Sequence, residues 1–569
     1  LKSLLSFSLL LSIIANSPSL AADTFVTQAE QDQYLPDYNP RRSRIAQSTA
    51  HYLHSLFWTK YAPIKWKQKR YGWDPDIAFE QCMNRLNEIK TWDIDTLKPI
   101  FSSFIYSCQD VHTALLYDDS RMAYIPVEAD YVEGRFIITE SSLYNVLPGD
   151  EVLSINGDTP LSHIKKAFYG SDQIEEARPY FLLDHTFHRM GMFMATPKKG
   201  EHLTLSILHQ GQIKKVKLDW HITRYHTPSN LEAYQQRPSD LDLRSISLKS
   251  HLSKIDLPLR CMPLNPQQRQ QLKAAYHQAL FNEKLAEHSF DNSKLDWHLF
   301  KEEGIDVAYM KLDSFNEIDF TQVDIALKML EKKSDCMVLD LRKNPGGIDL
   351  CMYALAMRMT CKPLLNLMYS CILDVGLVEM HRGWLEEYDD LLDSAYCDHE
   401  MEGFMEEYGL PWSLELIRSL RQESLQFIEE WEQGYTCTRF SPMRGIRFIE
   451  PHPSIRYSKP LYILIDERCA SCADIFPALM KDNARAILLG RTTSGAGGTV
   501  EHFPIINAIG ISEIDMTTSL VLRNNLKIIE DNGVSPDFEH KKTVQSTLDE
   551  REEKMKAIRF AAEHFKSHN

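Results

Sequence analysis

What this 569-residue chain lacks first is positive charge. Lys and Arg number 63 against 79 Asp and Glu, a net charge of −16. Binding a phosphate backbone needs clustered cations, so nucleic acid is not expected as a partner. Past the N-terminus the chain also lacks any apolar run long enough to span a bilayer, so the mature protein is expected to be soluble with no membrane span. It lacks a cysteine framework of the small secreted type, because its 11 cysteines are odd in number and scattered. Cys336, Cys351, Cys361 and Cys371 lie in apolar segments and are expected to be buried thiols. Cys469 and Cys472 form a CxxC, but no second CxxC or histidine pair stands at zinc spacing, so neither a metal nor another cofactor is expected. No internal repeat is found.

What is present is an ordinary globular composition, 43% hydrophobic and 25% charged, over a length that predicts several domains. Lys2, the apolar stretch Leu4–Ile14 and the small residues before Ala21 and Ala22 predict a secretory signal peptide over 1–21. Residues 22–120 read as mainly helical, with amphipathic runs at Ile77–Ile89 and Leu97–Cys108. A basic, aromatic stretch from Lys60 to Trp73 (Lys65, Trp66, Lys67, Lys69, Arg70) reads as a solvated helix or loop face. Over 121–223 short alternating segments predict a small β-domain (Met122–Val127, Arg135–Thr139, Leu203–Leu208, Lys214–Leu218). Within it, Leu147–Gly157 (LPGDEVLSING) resembles the hallmark of PDZ domains, which bind peptide ends by strand addition. Residues 224–300 are poor in apolar periodicity and read as an insertion. From 301 to 569 an α/β pattern follows: strands at Ile305–Leu312, Asp335–Leu341, Leu461–Ile465, Ala486–Leu489 and Ser519–Arg523, and a helix at Phe320–Lys332. An acidic helical insertion over 377–440 interrupts it, with carboxylates expected on a solvated face. Cys397-Asp398-His399-Glu400 within it matches no helical metal-ligand spacing.

The chemistry concentrates after Leu461–Ile465. Ser471 follows this apolar strand and a polar turn, and a helical pattern begins at Asp474. A serine there has an exposed hydroxyl and a helix N-terminus behind it, which favours negative charge. Acyl transfer further needs a base, a group that orients the base, and N–H donors for the oxyanion. Gly346 and Gly347, just past a buried strand, suit the oxyanion hole because no Cβ obstructs a substrate oxygen. The N–H of Cys472 is the natural second donor. By itself, Pro345-Gly346-Gly347 reads more readily as a plain strand-to-helix turn.

Val338–Gly347 (VLDLRKNPGG), Cys469–Glu501 and Ile528–Asp537 (IIEDNGVSPD) resemble, in order, three blocks of the tail-specific, or C-terminal-processing, peptidases. Gly304–Phe315 resembles that family's first core strand. The resemblance implies a multidomain α/β (α+β) chain. Its catalytic core would be a ββα superhelix of the ClpP/crotonase type, behind an N-terminal helical region and a PDZ-like domain. Most members use a Ser–Lys dyad, with the lysine in the Gly-rich loop after the nucleophile. Here that position is Ala496, which cannot serve as a base.

A secreted variant of the family replaces the dyad with Ser, His and Glu. The matching residues are Ser471 as nucleophile, His112 as general base and acid, and Glu530 as the group that orients His112. That resemblance further implies a homodimer acting on protein or peptide substrates, with the 224–300 segment blocking the site until self-cleavage removes it. Histidine suits the role, since its pKa of about 6.5 lets it accept a proton near neutrality. Two rival readings stand beside this one. The first is a non-catalytic peptide-binding protein built on a decayed peptidase core. The second is a Ser–Lys peptidase using another lysine, such as Lys481.

Overall fold

The computed structural model describes residues 42–169, 183, 185–224, 295–316, 318–393, 408–411, 413–505 and 507–568. The expected signal peptide, most of the 224–300 segment and Cys397–Glu400 lie outside the described residues.

The centre is a six-stranded sheet ordered Trp297–Glu302, Ile305–Lys311, Cys336–Asp340, Leu461–Ile465, Ala486–Gly490 and Phe538–Glu539. The first pair is antiparallel and the rest are parallel. Parallel strands need crossovers, and here these lay their helices on one face while the C-terminal helix covers the other, so the strands are buried on both faces and read as continuous apolar runs. Alternate side chains divide accordingly. Ala308, Met310, Leu339, Ile463 and Leu488 pack with the helices Phe320–Lys333, Asp349–Arg358 and Cys472–Asp482. Val307, Tyr309, Val338, Tyr462 and Leu489 face Ala557, Ile558, Ala561 and Ala562 of the C-terminal helix Glu550–His568.

Four helices open the described chain: Arg42–Thr59, Ile64–Tyr71, Pro75–Glu88 and Ile94–Ile105. Asp74 and Asp93 cap the last two, accepting from the N–H groups of Asp76 and Thr96. A 3₁₀ turn, Tyr106–Cys108, leads to the strand Ala114–Tyr117. This strand pairs not with its neighbours in sequence but with Ile511–Thr517, which in turn pairs with Val500–Pro504. Between these parts, Val127–Val132, Arg135–Ser141, Glu151–Ile155, His202–His209 and Gln212–Asp219 form a five-stranded antiparallel sheet. One hydrophobic core runs through the N-terminal helices, this sheet and Ile511–Met516, joining segments far apart in sequence.

The acidic insertion contains two packed helices, Val375–Asp393 and Leu414–Glu432. Glu379, Glu386 and Asp390 are solvated as expected, but Glu423 and Glu430 are buried. Glu423 accepts from the Tyr369 hydroxyl, and the charge of Arg444 lies near it. Among the four apolar-segment thiols, Cys336, Cys351 and Cys371 are buried. Cys361 is exposed, because it falls in the turn after Asp349–Arg358 rather than inside the helix.

Candidate active site

Ser471 is the N-cap of the helix Cys472–Asp482, which starts two residues earlier than the sequence pattern predicts. Its backbone sits at φ 56°, ψ −123°, outside the regions an L-residue ordinarily adopts. Such a kink turns the side chain out of the strand-to-helix turn. The kink is held on several sides. The Ser471 N–H donates to the Ala496 carbonyl at 2.8 Å, and the Ala470 N–H to the Asn344 carbonyl at 3.1 Å. Asp466 accepts from the N–H groups of Lys343 and Arg468 at 3.0 and 3.1 Å, tying the turn after one strand to the turn after the next.

Gly346 lies directly against this kink. A Cβ there would meet Ser471 Cβ at 2.5 Å and the Ala470 carbonyl oxygen at 2.7 Å, and its φ is +101°. Only glycine meets both conditions. The Gly346 N–H donates to Asn344 Oδ1 at 2.8 Å, so Gly346 acts here through close approach, its own N–H being taken up. Gly347 (φ +141°) is packed against Phe315 and Asn316. Cys472 Sγ donates to the Gly347 carbonyl at 3.1 Å and so fixes the second glycine to the Ser471 turn. Cys469 Sγ donates elsewhere, to the Leu341 carbonyl. Burial, with Asp466 beside it, pushes that thiol far up.

Two buried polar residues that sequence reasoning did not single out build this turn. Asn344 donates from Nδ2 to the Leu312 carbonyl at 2.9 Å while its Oδ1 holds Gly346. Asp474, fully buried, accepts from the Thr493 hydroxyl and from the N–H groups of Gly495 and Ala496, both at 2.9 Å. It thereby pins the Gly-rich loop under Ser471. Ala496 is itself fully buried. Lys481 is engaged at the far end of the helix, with Nζ 2.8 Å from both the Ser535 carbonyl and Asp537 Oδ1.

His112 and Glu530 reach this region through a chain of contacts. The Asp531 N–H donates to the Gly495 carbonyl at 2.8 Å, which sets the Glu530–Asp531 turn beside the loop that holds Ser471. Lys67 Nζ lies 2.8 Å from Glu530 Oε1 and 2.8 Å from Asp531 Oδ1, and it donates to the Gln109 carbonyl at 3.2 Å. Asp110 accepts from the His112 N–H at 2.9 Å and the Thr517 hydroxyl at 2.7 Å, fixing the His112 loop to the strand Ile511–Thr517. Burial alone would raise the Asp110 carboxyl, but the charges of Lys67 and His112 and the Thr517 hydrogen bond hold it below its ordinary value. The structure thus draws the segments carrying Ser471, His112 and Glu530 onto one network.

Lys67 also corrects the reading of the basic stretch. It is fully buried, and Trp66 Nε1 donates to Asp531 Oδ2 at 2.9 Å. The helix Ile64–Tyr71 is therefore docked through Trp66, Lys67 and Arg70 against the acidic turn at Glu530–Asp531, while Lys65 and Lys69 are exposed as expected. Among the described residues, one group brings three metal-ligating side chains together: His502, Glu513 and Asp515, on adjacent strands. His502 Nδ1 and Asp515 Oδ1 are 2.6 Å apart, a hydrogen-bonded pair across the strands.

A strained serine at a strand-to-helix turn, with a glycine backbone laid against it, defines a serine-type peptidase, and residues 415–540 match the model of peptidase family S41. In sequence and fold the chain resembles chlamydial protease-like activity factor (CPAF), a variant of the tail-specific peptidases. A protein of Chlamydia pneumoniae is 25% identical over 527 residues, covering 85% of this chain and 84% of that protein. A protein of Chlamydia trachomatis serovar D is 26% identical over 534 residues, covering 85% and 86%. The structure of mature CPAF complexed with lactacystin superposes with a TM-score of 0.74 at 22% identity, covering 92% of this chain and 99% of that one. At that identity the likeness speaks for the fold, which is the mixed α/β architecture expected from sequence. Among the described residues no helix is long and apolar enough to cross a membrane.

Proposed function

We propose that the chain is a secreted serine endopeptidase that works through a Ser471–His112–Glu530 triad. The observation that carries this reading is the kinked turn at Ser471, with Gly346 against it and the His112 and Glu530 segments joined to it by hydrogen bonds. In this reading Ser471 Oγ attacks the scissile carbonyl carbon while His112 takes its proton. The carbonyl oxygen becomes an oxyanion facing the N–H groups of Gly347 and Cys472. As the tetrahedral intermediate collapses, His112 returns the proton to the leaving amine and an acyl ester stays on Ser471. Water then attacks that ester with His112 again as base, the bond from Ser471 Oγ to the acyl carbon breaks, and His112 returns the proton to Oγ as the carboxylic product leaves. Glu530 fixes the imidazole tautomer and stabilises the imidazolium. One oxyanion donor is worth about 3 kcal/mol of barrier.

The test is labelling of purified protein by a serine-directed phosphonate, with lactacystin as a second probe because it is complexed with mature CPAF. Wild type labels at Ser471. Ser471→Ala does not label, and His112→Ala and Glu530→Gln label more slowly by roughly 10²–10⁴-fold. Absence of any Ser471 labelling supports the peptide-binding reading, for which the buried Ala496 at the family's lysine position is the favouring observation. Labelling that survives His112→Ala points to another base; Lys481 is a poor candidate, given its contacts with Ser535 and Asp537. Self-cleavage within 224–300 and homodimerisation complete the proposal. Identical fragment patterns from wild type and Ser471→Ala would rule out self-cleavage, and a monomer mass in solution would rule out the dimer.

A further inference from the structure

We propose that the helix Ile64–Tyr71 is a clamp for the Glu530 carboxylate, with Lys67 as a positioning residue for the catalytic base. The inference rests on the triad reading and deepens it. An ammonium group has three protons to donate, and burying it without partners is costly. Lys67, fully buried, meets three acceptor groups: Glu530 at 2.8 Å, Asp531 at 2.8 and 2.9 Å, and the Gln109 carbonyl at 3.2 Å. Two of these belong to the turn carrying Glu530 and one to the loop carrying His112, so a single side chain sets the spacing of both.

The rest of the helix grips the same turn. Trp66 Nε1 donates to Asp531, and Arg70 donates to the Asp531 carbonyl at 3.2 Å and to Asn532 Oδ1 at 3.1 Å. The turn needs such a hold, because Asp531 has a left-handed backbone at φ 60°. Above Lys67, the Tyr71 ring centroid is 5.7 Å from Nζ. On the neighbouring loop the charged and titratable groups are Cys108, Asp110 and His112, and Tyr61 lies on the chain entering the helix. Asp110, Glu530 and Asp531 thus outnumber the one buried ammonium, which leaves a net negative field beside His112. That field favours the imidazolium formed when His112 takes the serine proton, and Lys67 sets its strength.

The test follows the rate of Ser471 labelling by a fluorophosphonate against pH, in the full-length protein. Removing the Lys67 charge strengthens the negative field, so the pKa of His112 rises and the acid limb moves up. Lys67→Met is expected to label about three- to ten-fold more slowly at pH 7, with its acid limb displaced upward by about one pH unit. Lys67→Arg, which keeps the charge, is expected to restore the limb. A Lys67→Met profile that coincides with wild type within two-fold overturns the clamp. Should Lys67→Met fail to fold, Asp531→Asn serves in its place. It removes one negative charge, so the limb moves down, and an unmoved limb overturns the proposal. The two readings fail separately. Labelling that survives His112→Ala defeats the triad, whereas loss on His112→Ala and Glu530→Gln with Lys67→Met unaffected defeats the clamp alone.

Discussion

At the scale of single residues, Ser471 is held in a conformation that costs about 1–3 kcal/mol, and its neighbours supply what keeps it there. Gly346 is the most exacting of these. Its missing Cβ would fall 2.5 Å from Ser471 Cβ and 2.7 Å from a main-chain oxygen, and neither can swing aside. Gly346→Ala is therefore expected to slow phosphonate labelling of Ser471 by at least about 100-fold, as suits a group that must hold the reacting atom in place. Circular dichroism checks that the fold survives. The strand, turn and helix that place Ser471 were legible in the sequence because they follow one another without interruption. Asn344 and Asp474 were not, although they stand in the same blocks. What makes them structural is burial against Leu312 and the Gly-rich loop, and no local pattern records that.

Among the elements, helices and strands followed hydrophobic periodicity closely, and the direction in which polar side chains face did not. In the helix pair of the acidic insertion, the apolar stripe was readable. The inward turn of Glu423 was not, because its partners Tyr369 and Arg444 come from other elements. His381 lies in the same interface, with Nδ1 3.0 Å from Ser424 Oγ and its ring 4.2 Å from that of Phe427. Burial, aided by the charge of Arg444, depresses its pKa from 6.5 to about 3. The unfolded chain then binds a proton that the folded one refuses, so stability present above pH 6.5 is lost as pH falls toward 3. This ring contributes a slope of up to about 1.4 kcal/mol per pH unit. His381→Leu is expected to flatten that part of the curve, as read by urea unfolding at pH 7, 6 and 5. An unchanged slope would mean that the ring takes up its proton in the folded state.

Over the whole molecule, a chain of ion pairs joins the parts. Arg342 pairs with Asp340 at 2.6 Å and Glu553 at 2.9 Å, and Glu553 also pairs with Arg491. Arg491 holds Glu467 at 2.5 Å, Glu467 meets Lys542 at 2.7 Å, and Lys542 reaches Asp130 of the five-stranded sheet at 2.6 Å. Removing one partner from a buried network leaves charges uncompensated, so Glu553→Ala is expected to destabilise the fold by about 3–5 kcal/mol in denaturant unfolding. A loss below 1 kcal/mol would mean that water already compensates Arg342 and Arg491. Within the basic stretch Lys67 was misread for a reason of the same scale: its partner Asp531 lies 464 residues further along.

That separation sets an order of events during synthesis. Lys67 precedes Asp531 by 464 residues and Asp110 precedes Thr517 by 407, so the helix and the His112 loop leave the ribosome long before the strand and turn that receive them. Every shorter nascent fragment has the helical region without its docking turn. The ion pairs around Lys67 therefore close only after residues 530 and 531 are made, so strand order alone times the docking of the helix.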